Sequence, residues 1–203
     1  MKSAALFAAL AATALVSVNA AAQESPWLVR ARAVNISPAN NSDPVGGTGA
    51  SDRITVSSKT IPEVDISYFL TKNWAAELIL TYPQKHDVRL DGANIGTFKH
   101  LPPTLTAQYH FAPDSQFSPY VGAGVNFTNI SSVNLLNGTG SLEHHSWGLA
   151  VQAGVDFKLD KNWSINVDVK KVQIRSDVAI SGAKVSAVQV DPWLFGVGVG
   201  YRF

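Results

Sequence analysis

The sequence predicts an all-β protein: an eight-stranded antiparallel transmembrane β-barrel with up-and-down topology. Three observations predict it, namely alternating segments, aromatic residues at the ends of their apolar faces, and connections that alternate in length. The clearest segment is the last, residues 193–203, where the odd positions are apolar or aromatic and the even ones are Leu194, three glycines and Arg202. A period of two gives a strand and not a helix. Aromatic side chains at both ends of its apolar face are typical of a strand that crosses a membrane.

Seven earlier segments repeat this alternation, and none of their apolar faces carries a charge. In chain order these faces begin at Trp27, Val64, Trp74, Leu101, Val121, Trp147 and Trp163. An Arg or Lys at the bilayer midplane would cost about 2–4 kcal/mol, so charge-free faces are expected where side chains meet lipid.

The connections between the segments alternate between short and long. Short turns fall at residues 71–73, 112–118 and 160–162, whereas long Gly-, Ser- and Asn-rich links fall near residues 37–60, 83–99, 131–145 and 176–186. Short periplasmic turns and long outer loops are the arrangement of outer-membrane barrels. The sequence therefore predicts location in the bacterial cell outer membrane. A soluble lipocalin-type barrel would show the same alternation with its apolar face inward, but the aromatic ends and the loop asymmetry favour the membrane.

Residues 1–22 are predicted to be a cleavable signal peptide, and residues 23–203 the barrel domain. Lys2 is followed by an apolar run over residues 4–18 and then by small residues up to Ala22, which is the pattern of a secretory signal. A retained anchor is the alternative. No later stretch has about 20 continuous apolar residues, so no membrane-spanning helix is expected. The chain has no cysteine and a net charge of +1, so neither a disulfide framework nor a nucleic-acid partner is expected.

The other face of each strand is expected to line the lumen, where the character of the side chains changes with height. Charged residues at low and middle heights are predicted to pair into a polar layer that closes the path to the periplasm. These residues are Arg30, Arg32, Glu63, Asp65, Glu77 and Asp168. Higher positions are apolar and are predicted to line a pocket: Val34, Ile36, Ile61, Val172, Ile174, Val190 and Leu194. Eight strands leave room only for packed side chains or one small ligand, and sites for apolar solutes are concave and mostly apolar. The alternative is an inert barrel whose upper apolar residues only pack beneath the loops.

Prolines cluster at similar heights on the second, third and fourth segments. They are Pro62, Pro83, Pro102 and Pro103. Proline removes a donor from the ladder and is normally confined to edges and bulges. The cluster predicts a lateral opening through which a solute leaves the pocket sideways into the membrane. The alternative is that these prolines simply end the strands where the loops begin.

Several of these segments resemble the OmpW family, which includes AlkL-like proteins. The resemblance lies in Trp-Leu-Val-Arg-Ala-Arg at 27–32 with Pro38, Leu-Pro-Pro-Thr-Leu at 101–105, Gln-Tyr-His-Phe at 108–111, Pro-Tyr-Val-Gly-Ala-Gly-Val-Asn at 119–126, Asp-Pro-Trp at 191–193 and Tyr-Arg-Phe at 201–203. It implies an eight-stranded outer-membrane barrel with a hydrophobic inner channel that is linked to the passage of small hydrophobic molecules. It also implies insertion by the barrel-assembly machinery, which reads a terminal aromatic residue.

An enzyme is not expected. His144, His145 and Ser146 with Glu143, and His86 with Asp87, contain the residue types of a hydrolase, but spacing cannot supply the mutual geometry that catalysis requires. Metal ligation by these histidines is weakly indicated, since adjacent residues of a strand point to opposite faces. No metal and no cofactor is predicted. Lys171 and Arg175 near the outer rim could meet lipopolysaccharide phosphates or simply be solvated.

The sequence therefore predicts a passive channel for small hydrophobic molecules, with outer-membrane lipids, lipopolysaccharide and these solutes as its partners. The alternative function is a non-transporting barrel that acts as a surface receptor or adhesin through its extracellular loops.

Overall fold

The computed structural model describes residues 25–203, which form fifteen strands and two short 3-10 helices. The predicted signal peptide, residues 1–22, lies outside the described residues. Within the described part of the chain, no helix is long and apolar enough to span a membrane.

The strands have the following bounds: β1 Trp27–Ser37, β2 Asn41–Ser42, β3 Ile54–Val56, β4 Lys59–Phe69, β5 Trp74–Leu80, β6 Gln84–Leu90, β7 Ala93–Leu101, β8 Thr104–His110, β9 Phe117–Leu135, β10 Gly140–Leu142, β11 His145–Lys158, β12 Trp163–Val172, β13 Arg175–Ile180, β14 Ala183–Gln189 and β15 Trp193–Arg202. The 3-10 helices are Val45–Gly47 and Leu136–Gly138.

Eight of these strands close into an antiparallel barrel in the order β1, β4, β5, β8, β9, β11, β12, β15 and back to β1. The first and last strands pair from Leu28↔Arg202 to Ser37↔Trp193. The Ser25 backbone N–H also donates to the Phe203 carbonyl at 2.9 Å. Each of these eight strands pairs with a neighbour on both sides, so the predicted fold class is confirmed.

Side chains alternate strictly between the outside and the inside of the barrel. Trp147 is 74% exposed on the outer surface, whereas Arg30, Glu77 and Asp168 are 0%, 0% and 2% exposed inside. Aromatic pairs such as Trp74 with Tyr109 lie on the outer surface near the short-turn end of the barrel. An oily exterior around a charged interior identifies the membrane barrel and excludes the lipocalin arrangement.

The long links that the sequence predicts as loops are not irregular in the structure. They form the remaining strands, which extend the wall beyond the eight spanning strands. In the β6–β7 hairpin the turn residues Asp91 and Gly92 have φ of 53° and 82°, the left-handed conformation that a tight hairpin turn requires. Ser181 and Gly182 repeat this geometry between β13 and β14. Both turns connect segments that alternate in polarity, but the Gly- and Asn-rich composition of the links obscured this hairpin pattern in the sequence.

The fourth predicted segment is also shorter than expected. It was predicted to begin at Leu101, but β7 ends at that residue and β8 begins only at Thr104. Pro102 and Pro103 lie between the two strands, since two successive residues without N–H groups cannot continue the ladder.

Candidate functional site

The lower lumen is filled by a charged network with Arg30 at its centre. Its guanidinium donates to both carboxylate oxygens of Asp156, at 3.0 and 2.6 Å, and to Asp65 Oδ1 at 3.1 Å. It also donates to Ser67 Oγ at 3.0 Å. Such two-point contacts to carboxylates are the strongest hydrogen bonds available to an arginine.

Arg32 forms the next level of the same network. Its guanidinium lies 3.1 Å from Glu63 Oε1, 2.5 Å from Asp65 Oδ2 and 3.3 Å from Glu77 Oε1. Asp168 Oδ1 lies 3.7 Å from it. The structure thus brings together all six residues of the predicted polar layer.

Three further groups belong to this layer although the predicted set omitted them. Asp156 binds Arg30, Lys170 Nζ lies 2.7 Å from Glu63 Oε1 and 2.9 Å from Asp168 Oδ1, and the Tyr120 hydroxyl donates to Asp168 Oδ2 at 2.9 Å. Lys170 and Asp156 share the inward alternation of their strands, which places them in the lumen by the same pattern as the predicted six. Tyr120 is an aromatic residue on an inward position, which composition alone does not distinguish from a lipid-facing one.

Above the polar layer the lumen becomes apolar. One continuous cluster contains all seven residues of the predicted pocket, each 9% exposed or less. The hairpin extensions contribute further members that sequence reasoning placed in loops: Ile54, Val56, Val88, Phe98, Leu135, Leu142 and Val178. Ile130 and Val188, which lie outside the predicted links, also belong to the cluster. The apolar chamber, as we call this cluster, is therefore taller than predicted.

The apolar chamber is closely packed by its own side chains. Two small cavities remain inside it. The lower one, of about 30 Å³, is lined by Ile36, Ile61, His100, Pro102 and Leu194 among others, and the upper one, of about 20 Å³, is lined by Phe98 and its neighbours. Each holds little more than one water molecule, so a solute can enter only if side chains move.

The barrel wall beside the lower cavity lacks part of its ladder. Pairing of β4 with β5 ends at Val64↔Leu80, and pairing of β5 with β8 ends at Ile79↔Thr104. The ladder resumes between β6 and β7 at Gln84↔His100. The wall segment, residues 81–83, lies between these points with no ladder partner among the described strands. Side-chain hydrogen bonds hold the wall segment instead. Thr81 Oγ1 donates to the Pro62 carbonyl at 3.0 Å, and Gln84 Nε2 donates to the Tyr82 carbonyl at 2.9 Å.

The four predicted prolines border this segment in different ways. Pro62 lies inside β4, Pro83 ends the wall segment, and Pro102 and Pro103 face it from the β7–β8 junction. On the far side of that junction the wall is sealed, since Phe127 N donates to the Pro103 carbonyl at 3.1 Å and Asn126 Nδ2 to the Pro102 carbonyl at 3.3 Å. The break is therefore confined to the strip around residues 81–83.

Two buried histidines lie above the break, on the β6–β7 hairpin. The rings of His86 and His100 stack with centroids 4.8 Å apart, and Phe98 lies 5.9 Å from each. Burial lowers the pKa of both, that of His100 to about 3, and the charge of Lys59 contributes in the same direction. Both imidazoles are therefore neutral at neutral pH. His144 and His145, in contrast, are exposed. The three histidines weighed as metal ligands therefore do not share one environment, because His86 is buried and the other two are not.

A model of the OmpW family matches residues 23–203. The chain belongs to the OmpW family. This OmpW-family protein is 36% identical to outer membrane protein W of Escherichia coli (strain K12), over 97% of both chains. It is 40% identical to the uncharacterized outer-membrane protein y4mB of Sinorhizobium fredii, over 90% of this chain and 82% of that one. A more distant relative, 25% identical over 90% of both chains, is the dibenzothiophene metabolism operon protein PahQ of Pseudomonas aeruginosa.

The same architecture occurs in a solved structure, that of the outer membrane protein OprG from Pseudomonas aeruginosa. The two structures share a TM-score of 0.78 and 28% identity, over 89% of this chain and 97% of OprG. The OmpW-family chain described here is thus an outer-membrane β-barrel protein.

Proposed function

We propose that this OmpW-family barrel conducts small hydrophobic molecules passively into the outer membrane. A solute enters from outside, occupies the apolar chamber, and leaves sideways through the wall segment, residues 81–83. The observation that carries the proposal is the position of the chamber, which lies directly above a dense charged layer and beside the break in the wall.

The charged layer supports a lateral exit over an axial one. Arg30, Arg32 and Lys170 face five carboxylates there, at ion-pair distances of 2.5 to 3.7 Å. An apolar solute on the axis would have to separate these groups without offering them any hydrogen bond, and breaking one buried pair costs about 3–5 kcal/mol. At the wall, the lateral route requires that Thr81 and Gln84 release their contacts to backbone carbonyls. Each such net hydrogen bond is worth about 1 kcal/mol.

The chamber must loosen before a solute fits, because its cavities are small. Leu194 on β15 pairs with Ile36 on one side of β1, and Ile61 on β4 pairs with Val34 on its other side. Both Leu194 and Ile61 border the lower cavity next to the break. Movement of these side chains would open space at the height of the exit. The dibenzothiophene operon in which the relative PahQ is named supports aromatic, apolar solutes as the substrate class.

Uptake by cells that make or lack the protein tests the proposal. Naphthalene or octane should enter faster when the protein is present, and Leu194→Asp should abolish this gain because it places a charge in the chamber. Leu194→Met, which keeps the volume and the apolar surface, is the matched control and should conduct normally. Equal uptake with and without the protein would reject transport and favour a surface receptor that acts through its loops.

Leu194→Asp must also be shown to insert and fold. Barrel formation is measured by protease resistance and circular dichroism of the purified variant in lipid. A folded Leu194→Asp protein that conducts as well as wild type would contradict the role of the chamber.

A further inference from the structure

We propose that Gln84, His86 and His100 form a recognition site for one hydroxyl group on an otherwise apolar solute. The proposal rests on the proposed function and adds, within its class of apolar solutes, a preference for phenols and alcohols. We call these three residues the polar notch, because they interrupt the apolar lining beside the wall segment.

The polar notch is held together by the hairpin register. Gln84 pairs directly with His100 across β6 and β7, which places their β-carbons about 5 Å apart. His86 follows Gln84 on the same face, and its ring stacks on that of His100 with centroids 4.8 Å apart. His100 borders the lower cavity of the apolar chamber, together with Ile61 and Thr81. A solute in that cavity therefore lies against His100, and Gln84 and His86 are the direct neighbours of His100 in the hairpin.

Three buried polar atoms of the notch lack a hydrogen-bond partner among the described residues: Gln84 Oε1, His86 Nε2 and His100 Nδ1. The three side chains are 0%, 1% and 2% exposed. Leaving a buried polar atom unpaired costs about 1–3 kcal/mol. Three such atoms in one place therefore indicate a group that they would bind.

The hydrogen-bonding roles of these atoms follow from their neighbours. His86 Nδ1 lies 2.7 Å from the Ser57 carbonyl, and a carbonyl can only accept, so Nδ1 carries the proton of the neutral ring and Nε2 has a free lone pair. Gln84 Nε2 donates to the Tyr82 carbonyl at 2.9 Å, which fixes the amide with Oε1 as a free acceptor. The notch therefore presents two acceptors. His100 Nδ1 is a third atom, which donates or accepts according to the tautomer of its ring.

This arrangement selects among solutes by chemistry. A hydroxyl group donates to His86 Nε2 and can also accept from His100 Nδ1. A carboxylate or nitro group has only acceptor atoms, so it would face two lone pairs and be repelled. Buried polar groups favour ligands that can pair with them, so a phenol, which pairs with two of these atoms, is preferred over a hydrocarbon, which pairs with none.

The test compares 2-naphthol with naphthalene in lipid vesicles that contain the full protein. His86→Asn keeps a donor towards the Ser57 carbonyl and removes the acceptor at the Nε2 position, whereas His86→Gln keeps an acceptor near that position and is the matched control. We expect His86→Asn to slow 2-naphthol entry about tenfold, which corresponds to the loss of one hydrogen bond. Naphthalene entry should remain as in wild type, and His86→Gln should retain most of the 2-naphthol rate.

Equal slowing of both solutes by His86→Asn, or no effect on either, would overturn the polar notch while leaving transport itself intact. A second measurement does not depend on transport. On addition of 2-naphthol, the ¹⁵N resonance of His86 Nε2 in lipid nanodiscs should shift as a lone pair that gains a donor does, and naphthalene should not reproduce this shift. An Nε2 resonance that ignores 2-naphthol would reject the site, and wild-type vesicles that admit neither solute would reject the proposed function.

Discussion

Arg30 and Asp156 form a two-point ion pair across the barrel lumen, with contacts of 3.0 and 2.6 Å between residues 126 positions apart in the chain. The pair joins β1 to β11, which are not neighbours in the wall. The polar layer thus braces opposite sides of the barrel as well as closing its lumen.

Removing one partner of this pair should strongly destabilise the barrel. Asp156→Ala leaves the Arg30 guanidinium buried with one carboxylate fewer, so the free energy of unfolding should fall by about 3–5 kcal/mol. Urea unfolding in lipid vesicles measures this. The matched control is Asp114→Ala, which breaks the exposed Lys72–Asp114 pair, 76% and 73% exposed, and should cost less than about 1 kcal/mol. Similar losses from the two changes would contradict the bracing role of Asp156.

Gly198 on β15 should be intolerant of any side chain. A Cβ at this residue would lie 2.0 Å from the Ala31 carbonyl oxygen of the neighbouring strand, so Gly198→Ala should destabilise the barrel by about 3 kcal/mol or prevent closure. At Gly196, two residues away, the nearest atom is Arg32 Cδ at 3.4 Å, and Gly196→Ala should be tolerated. Unfolding curves of the two variants test this, and equal stability of both would show that the close approach of β1 to β15 is not required.

Restoring backbone donors at the break should slow transport. Pro83→Val and Pro102→Val return N–H groups to the strip beside residues 81–83, which should allow the ladder to extend and reduce naphthalene entry several-fold. Pro119→Val, low in the barrel on β9 where β11 already pairs with it, is the control. Unchanged entry in both variants at the break would remove the lateral exit from the account.

Acid should weaken the β6–β7 hairpin. Burial holds the pKa of His100 at about 3 and lowers that of His86 below its usual 6.5. The unfolded chain therefore binds more protons than the folded one between about pH 3 and pH 6.5. Stability from these groups is full above pH 6.5 and is lost as the pH falls towards 3. Lys59 opposes protonation of both rings, and Asp87 favours that of His86.

Hydrogen exchange of the hairpin amides measures this acid effect. Protection, corrected for the intrinsic pH dependence of exchange, should be weaker at pH 4 than at pH 7 in the wild-type protein. His100→Phe, which keeps the stacking but removes the titrating ring, should show a smaller difference. Equal differences in the two proteins would exclude His100 as the acid-sensitive group.

The sequence predicted most of the barrel but little of its upper part. Period-two alternation fixes which face of a strand is apolar, so the inward placement of Arg30, Glu77 and Leu194 could be inferred from the chain alone. The hairpins escaped detection because their inner positions mix polar and apolar residues, as at Gln84, His86 and Val88. The polar notch depends on cross-strand register, which the sequence does not encode locally.

Methyl resonances of the isoleucines in lipid nanodiscs test the central claim most directly, namely that a solute occupies the apolar chamber. On titration with naphthalene, we predict saturable shifts of Ile36, Ile61 and Ile174, which are buried inside the barrel, and not of Ile165, which faces lipid. Shifts confined to Ile165, with the inner methyl groups unchanged, would contradict the account.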